Sequence, residues 1–114
     1  MPYRVGGNIS KVDPMDLVNS LKNVFSDIKY KARVFGYDIE LNREDLELYI
    51  NTYNEDEYNV DITLNTNEKE LLALLEKIKN ALLNLNIPFD LGYYFEDDDG
   101  NQTSPDYPFF SKES

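Results

Sequence analysis

The chain has no histidine and no cysteine, so its reactive groups are carboxylates, hydroxyls, lysines and arginines. Ser-His-Asp and Cys-His nucleophilic catalysis lack their base or thiol, and a zinc site built from His and Cys lacks its ligands. Asp97-Asp98-Asp99-Gly100 invites comparison with a calcium loop. The EF-hand pattern, however, places Phe95 at its first ligand position and Asp106 where a closing Glu belongs, and a strand rather than a helix leads in. A plain acidic turn is the better reading. The carboxylate pairs Asp38/Glu40 and Glu44/Asp45 could serve acid–base hydrolysis, but they fall on exposed strands and turns without an apolar pocket to tune a pKa. Gly6-Gly7 suggests a phosphate loop, yet no further glycines and no GK[ST] follow. The expectation is a protein that is not an enzyme, with no catalytic residue, metal site or cofactor.

The richer chemistry is that of recognition. Between Asp38 and Asn65, hydrophobic residues alternate with polar ones at period two, the pattern of strands with one face buried. Ile39, Leu41, Leu46, Leu48, Ile50, Tyr58, Val60, Ile62 and Leu64 fall on one face. Asp38, Glu40, Glu47, Tyr49, Asn51, Tyr53, Asn59, Asp61 and Thr63 fall on the other. Tyrosine offers large contact area with a polar tip and is enriched at interfaces, and the carboxylates around it can pair with Arg or Lys. The candidate partner-binding set is therefore Asp38, Glu40, Glu47, Tyr49, Asn51, Tyr53, Asp61 and Tyr94, joined by Asp97, Asp98 and Asp99. The competing reading is an ordinary sheet surface, since tyrosine is also a good strand former.

The elements that must position this set follow in chain order. Tyr3 to Ile9 reads as a strand in which Gly6-Gly7 marks a bulge or a close backbone approach. Asp13-Pro14-Met15-Asp16 starts a helix, with Asp13 as cap, and Leu17, Leu21, Val24, Phe25 and Ile28 carry its apolar face to about Asp27. Lys29 to Arg33 is the most basic stretch and reads as surface rather than a nucleic-acid patch. Lys31 to Leu41 is expected as one long strand, bent at Gly36. Asn42–Asp45 and Asn54–Glu57 are polar connections of hairpin length. They join strands from Leu46 to Tyr53 and from Tyr58 to Leu64; a helix over Arg43–Tyr53 is the weaker alternative. Asn67 with Glu70 forms a capping-box pattern opening a helix to about Asn86, which Pro88 terminates. Phe89, Leu91, Tyr93 and Phe95 alternate with Asp90, Gly92, Tyr94 and Glu96 in a last strand. The prolines in the tail from Gln102 to Ser114 argue against regular structure. Its aromatics either pack back on the domain or form a short linear motif.

The expected fold is α+β: a two-layer sandwich in β-α-β-β-β-α-β order, with two helices on one face of a mostly antiparallel sheet. Residues 1–97 form a single domain, and 98–114 an acidic turn and Pro/aromatic tail. The length suits one core, and no apolar run approaches the ~20 residues of a membrane helix. The N-terminus lacks a signal-peptide pattern, which places the protein in the cytoplasm.

The formal net charge is −11, from 22 acidic and 11 basic residues. Direct binding to nucleic acid is disfavoured by long-range repulsion. Association with a basic protein is favoured by the same field. In size, acidity and lack of catalytic residues the chain is similar to bacterial immunity proteins and phage-encoded inhibitors of host defence. That likeness implies an inhibitor that neutralises a basic protein, such as a nuclease or nucleic-acid-binding effector, by presenting carboxylates where phosphates would lie. The alternative is a homodimeric structural or chaperone-like adaptor that engages its apolar helix face or aromatic tail, its acidity serving only solubility.

Overall fold

A computed structural model describes residues 2–34, 36–52 and 57–113. The elements are β1 (Pro2–Ile9), α1 (Pro14–Val24), β2 (Lys29–Ala32), β3 (Tyr37–Asn42), β4 (Leu46–Thr52), β5 (Tyr58–Asn65), α2 (Glu68–Leu83), β6 (Phe89–Phe95) and β7 (Tyr107–Lys112). The strands form one seven-stranded sheet in the order β2-β3-β4-β5-β1-β6-β7. Each neighbouring pair is antiparallel. The fold is α+β, and its element order contains two more strands than the sequence predicted.

Both helices begin where their caps predict. The Asp13 carboxylate accepts the backbone N–H groups of Met15 and Asp16, and Pro14 occupies the first turn. Asn67 accepts the N–H of Glu70 at 2.9 Å. The Glu70 carboxylate takes the hydroxyl of Thr66 instead of closing the box on Asn67. α1 stops earlier than its apolar periodicity suggested. Phe25 turns extended, at φ −129° and ψ 98°, while its N–H still bonds Leu21. Phe25 and Ile28 remain buried although they lie beyond the helix. α2 likewise ends at Leu83, before a turn in which Asn86 adopts a left-handed φ of 54°.

The alternating strand residues bury as the pattern requires. Ile39, Leu48, Ile50, Ile62 and Ile9 are fully enclosed, together with Leu17, Leu21, Leu71, Leu75 and Leu82 of the helices. They belong to one continuous apolar cluster. The helices touch one another as well, with the Ser20 hydroxyl donating to the carbonyl of Ala81 at 2.9 Å.

The expected long strand from Lys31 to Leu41 is instead a hairpin. Gly36 has φ +76°, and the N–H of Arg33 bonds its carbonyl at 2.8 Å, so the chain reverses and Ala32 pairs with Tyr37. A side chain at Gly36 is excluded twice. The φ disfavours L residues, and a Cβ would stand 2.2 Å from the buried Tyr58 hydroxyl. Phe35, Tyr53 and the Asn54–Asp56 part of the second connection lie outside the described residues.

The tail also departs from expectation. Tyr107–Lys112 adds an edge strand to β6, with a register shift between Leu91 and Gly92. Pro108 is tolerated because an edge strand need not donate on both sides. Phe110 stacks on Phe89 with centroids 5.3 Å apart, and Tyr107 meets Tyr93 at 5.4 Å. The Lys79 ammonium of α2 lies 5.3 Å from the centroid of Phe110. The tail aromatics thus pack back on the domain.

Candidate functional site

Antiparallel register decides which side chains share the face opposite the apolar cluster. One cross-strand row runs Lys29, Glu40, Tyr49, Asp61, Gly6, Gly92. A second runs Lys31, Asp38, Asn51, Asn59, Asn8, Asp90. A third runs Asn42, Glu47, Thr63, Arg4, Tyr94. Asp38, Glu40, Glu47, Tyr49, Asn51, Asp61 and Tyr94 are therefore gathered on one sheet face, most of them exposed. Tyr49 retains 36% of its accessible surface. Three interstrand spacings separate Tyr49 from Tyr94, a span of roughly 14 Å at ~4.8 Å per strand. Tyr53 lies outside the described residues.

The acidic turn stands apart from this face. It follows β6 and is tied by its own backbone. The Asp97 carboxylate accepts the N–H groups of Asp99 and Asn101, each at 2.9 Å. The backbone hydrogen bond from Asn101 is the main cause holding the Asp97 pKa below its ordinary 3.8; it outweighs the opposing effect of desolvation, with Asp99, the Asn101 side chain and Gly100 adding to it. Gly100 completes the turn at φ +84°. Asp97 is thus already occupied in forming the turn, which leaves Asp98 and Asp99 exposed. Among the described residues, no group of three or more Asp or Glu side chains is arranged to hold a metal ion.

The sequence reading missed the cations that share the face. Arg4 stands in its middle, 2.7 Å from the Asp61 carboxylate and 3.6 Å from that of Glu96. Glu96 is buried to 7% exposure, so this is a half-buried triad rather than a solvent-exposed pair. Arg33 pairs with Asp38 at 3.2 Å. Lys29 and Lys31 lie directly across from Glu40 and Asp38 along the edge strand. The β2–β5 side of the face is therefore mixed in charge. Glu47 and Tyr49 are exposed within it. The alternation of Tyr3, Val5 and Ile9 already implied that Arg4, Gly6 and Asn8 point away from the core. It could not reveal that β1 lies between β5 and β6, and that placement is what brings Arg4 to Asp61.

Beyond Arg4 the face changes character. Asp90, Gly92 and Tyr94 follow one another along β6, and Gly6 lies directly opposite Gly92. Here the layer of side chains is interrupted, and a surface cleft of about 420 Å³ opens over bare backbone. A different cleft, of about 330 Å³, lies between the helices and the β4–β5 end, lined by Phe25, Arg43, Leu46, Leu74 and Lys77 among others. Arg43 at its mouth is bound to the Asp27 carboxylate.

No family model matches the chain, and no curated protein matches it significantly. Among the described residues, no helix is long and apolar enough to cross a membrane.

Proposed function

We propose that this is a small binding protein that neutralises a basic, nucleic-acid-acting protein by docking its open sheet face onto the partner's basic surface. The reading takes the fold as two layers, with the helices over one sheet face and the other left to solvent. It places the protein in the cytoplasm and assigns it no catalytic step of its own. The observation that carries it is the face itself: Glu40, Glu47, Tyr49, Asn51, Asp90 and Tyr94 lie on one face of one continuous sheet, in a chain of net charge −11. Tyrosines provide anchors that lose little rotamer freedom on burial. Exposed carboxylates provide steering and orientation, which act chiefly through the association rate. Asp38 and Asp61 contribute less in this reading, because Arg33 and Arg4 already neutralise them.

The adaptor alternative relied partly on a free aromatic tail. Phe110 and Tyr107 pack against Phe89 and Tyr93, which supports the sheet face over a free tail as the contact. The test is affinity capture by the immobilised protein from lysate of its source cells, at low and at high salt. An activity assay of whatever is captured follows. The expected result is a basic protein released by salt, whose action on nucleic acid falls when this protein is added. Capture of no salt-sensitive partner, or of one whose action on nucleic acid is unaffected, contradicts the reading.

A further inference from the structure

Four of the five glycines have an evident structural reason, and Gly6 does not. A Cβ at Gly7 would stand 2.0 Å from the Asp90 carbonyl oxygen, and one at Gly92 would stand 3.1 Å from that of Tyr107. Gly36 and Gly100 adopt positive φ. At Gly6 a Cβ would meet nothing within 4 Å, and φ is not in the left-handed region. Yet Gly6 sits in the middle of β1, paired on both sides. A strand-interior glycine there is less stable than Ala by roughly 0.5–1 kcal/mol. Folding gains nothing visible from this bare position. Glycine in a strand otherwise marks a place where a ligand or another backbone approaches closely.

The surroundings identify what approaches. The cleft above Gly6 and Gly92 is lined by Asn8, Asp90, Tyr94, Asp106 and Pro108, and no lysine or arginine lines it. Among the described residues neither Asp90 nor Asp106 takes part in an ion pair. Asp106 accepts only a hydrogen bond from the Gln102 amide, at 3.2 Å. Arg4, across from Tyr94, is held by Asp61 and Glu96, and Lys112, which lines a neighbouring cleft with Asp90, donates to the Asn86 side chain. The volume of about 420 Å³ lies within the range of small-ligand pockets. A cleft lined by an aromatic ring and by unpaired carboxylates, with the bare Gly6 in its floor, suits a planar cation. The ring attracts it through its quadrupole, and the carboxylates accept its N–H donors.

We infer that the Gly6–Gly92 cleft is a socket for an arginine side chain of the basic partner, with Asp90 and Asp106 as its carboxylates and Tyr94 as its aromatic wall. This rests on the reading that the open face binds a basic protein, and it names the side chain that anchors there.

The test is NMR titration of the isotope-labelled protein with two probes: N-acetyl-arginine amide, with its neutral citrulline analogue as control, and a short arginine-rich peptide. Wild type, Gly6→Thr and Asp90→Asn are compared. Threonine at position 6 has room for its Cβ and favours strand structure, so the fold and its melting temperature are retained while the socket is filled. The arginine probe is expected to shift the amides of Gly6, Asn8, Asp90, Gly92 and Tyr94, the citrulline probe to leave them, and both variants to lose the response. Shifts scattered over the acidic surface, or undiminished in Gly6→Thr, overturn the socket. If the peptide still perturbs Glu40, Glu47 and Tyr49 equally in wild type and Gly6→Thr, the socket fails and the open-face reading stands. If the peptide perturbs no residue of the face, both fail.

Discussion

The two halves of the open sheet face solve the same electrostatic problem differently. On the β2–β5 half, carboxylates have cations beside them: Arg33 at Asp38, Arg4 at Asp61, and Lys29 and Lys31 across from Glu40 and Asp38. On the β1–β6–β7 half, Asp90 and Asp106 have none within ion-pair distance among the described residues, and Gly6, facing Gly92, leaves the backbone of β1 uncovered. A high count of acidic residues therefore says little about where a partner binds. Exposed ion pairs contribute little stability and have already spent their field on each other. Uncompensated charge beside uncovered backbone is the more informative feature.

The largest expected effect falls on the core shared by both halves. Leu75 is fully buried in α2, and Leu75→Ala should cost ~2–5 kcal/mol by leaving a cavity. Denaturant unfolding followed by probes in either half should shift together. Separate transitions would mean that the halves do not share one cooperative core. Gly7→Ala should act more locally. Its Cβ would collide with the Asp90 carbonyl, forcing β1 and β6 apart at ~1–3 kcal/mol, the usual range for overpacking. Hydrogen exchange should then accelerate in β6 and β7 more than in β3 and β4; uniform acceleration would refute a local seam.

For binding to the captured partner, Tyr94→Ala should cost ~1–3 kcal/mol, as anchors do. Tyr49→Ala, on the charge-compensated half, should cost less, read as dissociation rates in surface-capture measurements. The reverse order would move the anchor to the meander. The smallest effect concerns acid. Two carboxylates outside the strands are held below 3.8: Asp27 mainly by its side-chain hydrogen bond to Arg43, and Asp97 mainly by the Asn101 backbone. The unfolded chain takes up these protons first, so their contribution is present above pH 3.8 and fades as pH falls through the lower folded values. Asp27 is exposed and Asp97 only partly covered, so the contribution is small. Asp97→Ala should lower thermal stability slightly above pH 5 and leave it unchanged at the acid end, so that the acid limb flattens; an unchanged limb would remove Asp97 from this role.

Much of the fold was legible because period-two alternation and helix caps are local. Ile39, Leu48 and Ile62 announced their burial, and Asp13 and Asn67 announced the helix starts. The hairpin at Gly36 was half-legible. The glycine marked a break, but only the pairing of Ala32 with Tyr37, set by the sheet, turns a bend into a reversal. Pro108 misdirected the reading of the tail, because its rule excludes central strands and not an edge. The site was less legible still. Alternation assigns a residue to a face and says nothing of its neighbours across the sheet. The meeting of Gly6 with Gly92, and of Arg4 with Asp61, arises only when β1 inserts between β5 and β6. The aromatic and acidic residues of the meander were visible in one stretch of chain, whereas the cleft draws on β1, β6 and β7 together.

The most direct measurement is the affinity of the captured partner for two charge-reversed variants of equal net charge. One is Glu40→Lys with Glu47→Lys, on the meander; the other is Asp90→Lys with Asp106→Lys, at the cleft. Because the total charge is the same, only the location of the change differs. The larger loss is predicted for the cleft variant, through faster dissociation, with both variants still folded by circular dichroism. Equal losses, or a larger loss for the meander variant, would contradict the claim that the β1–β6–β7 half is where the partner is held.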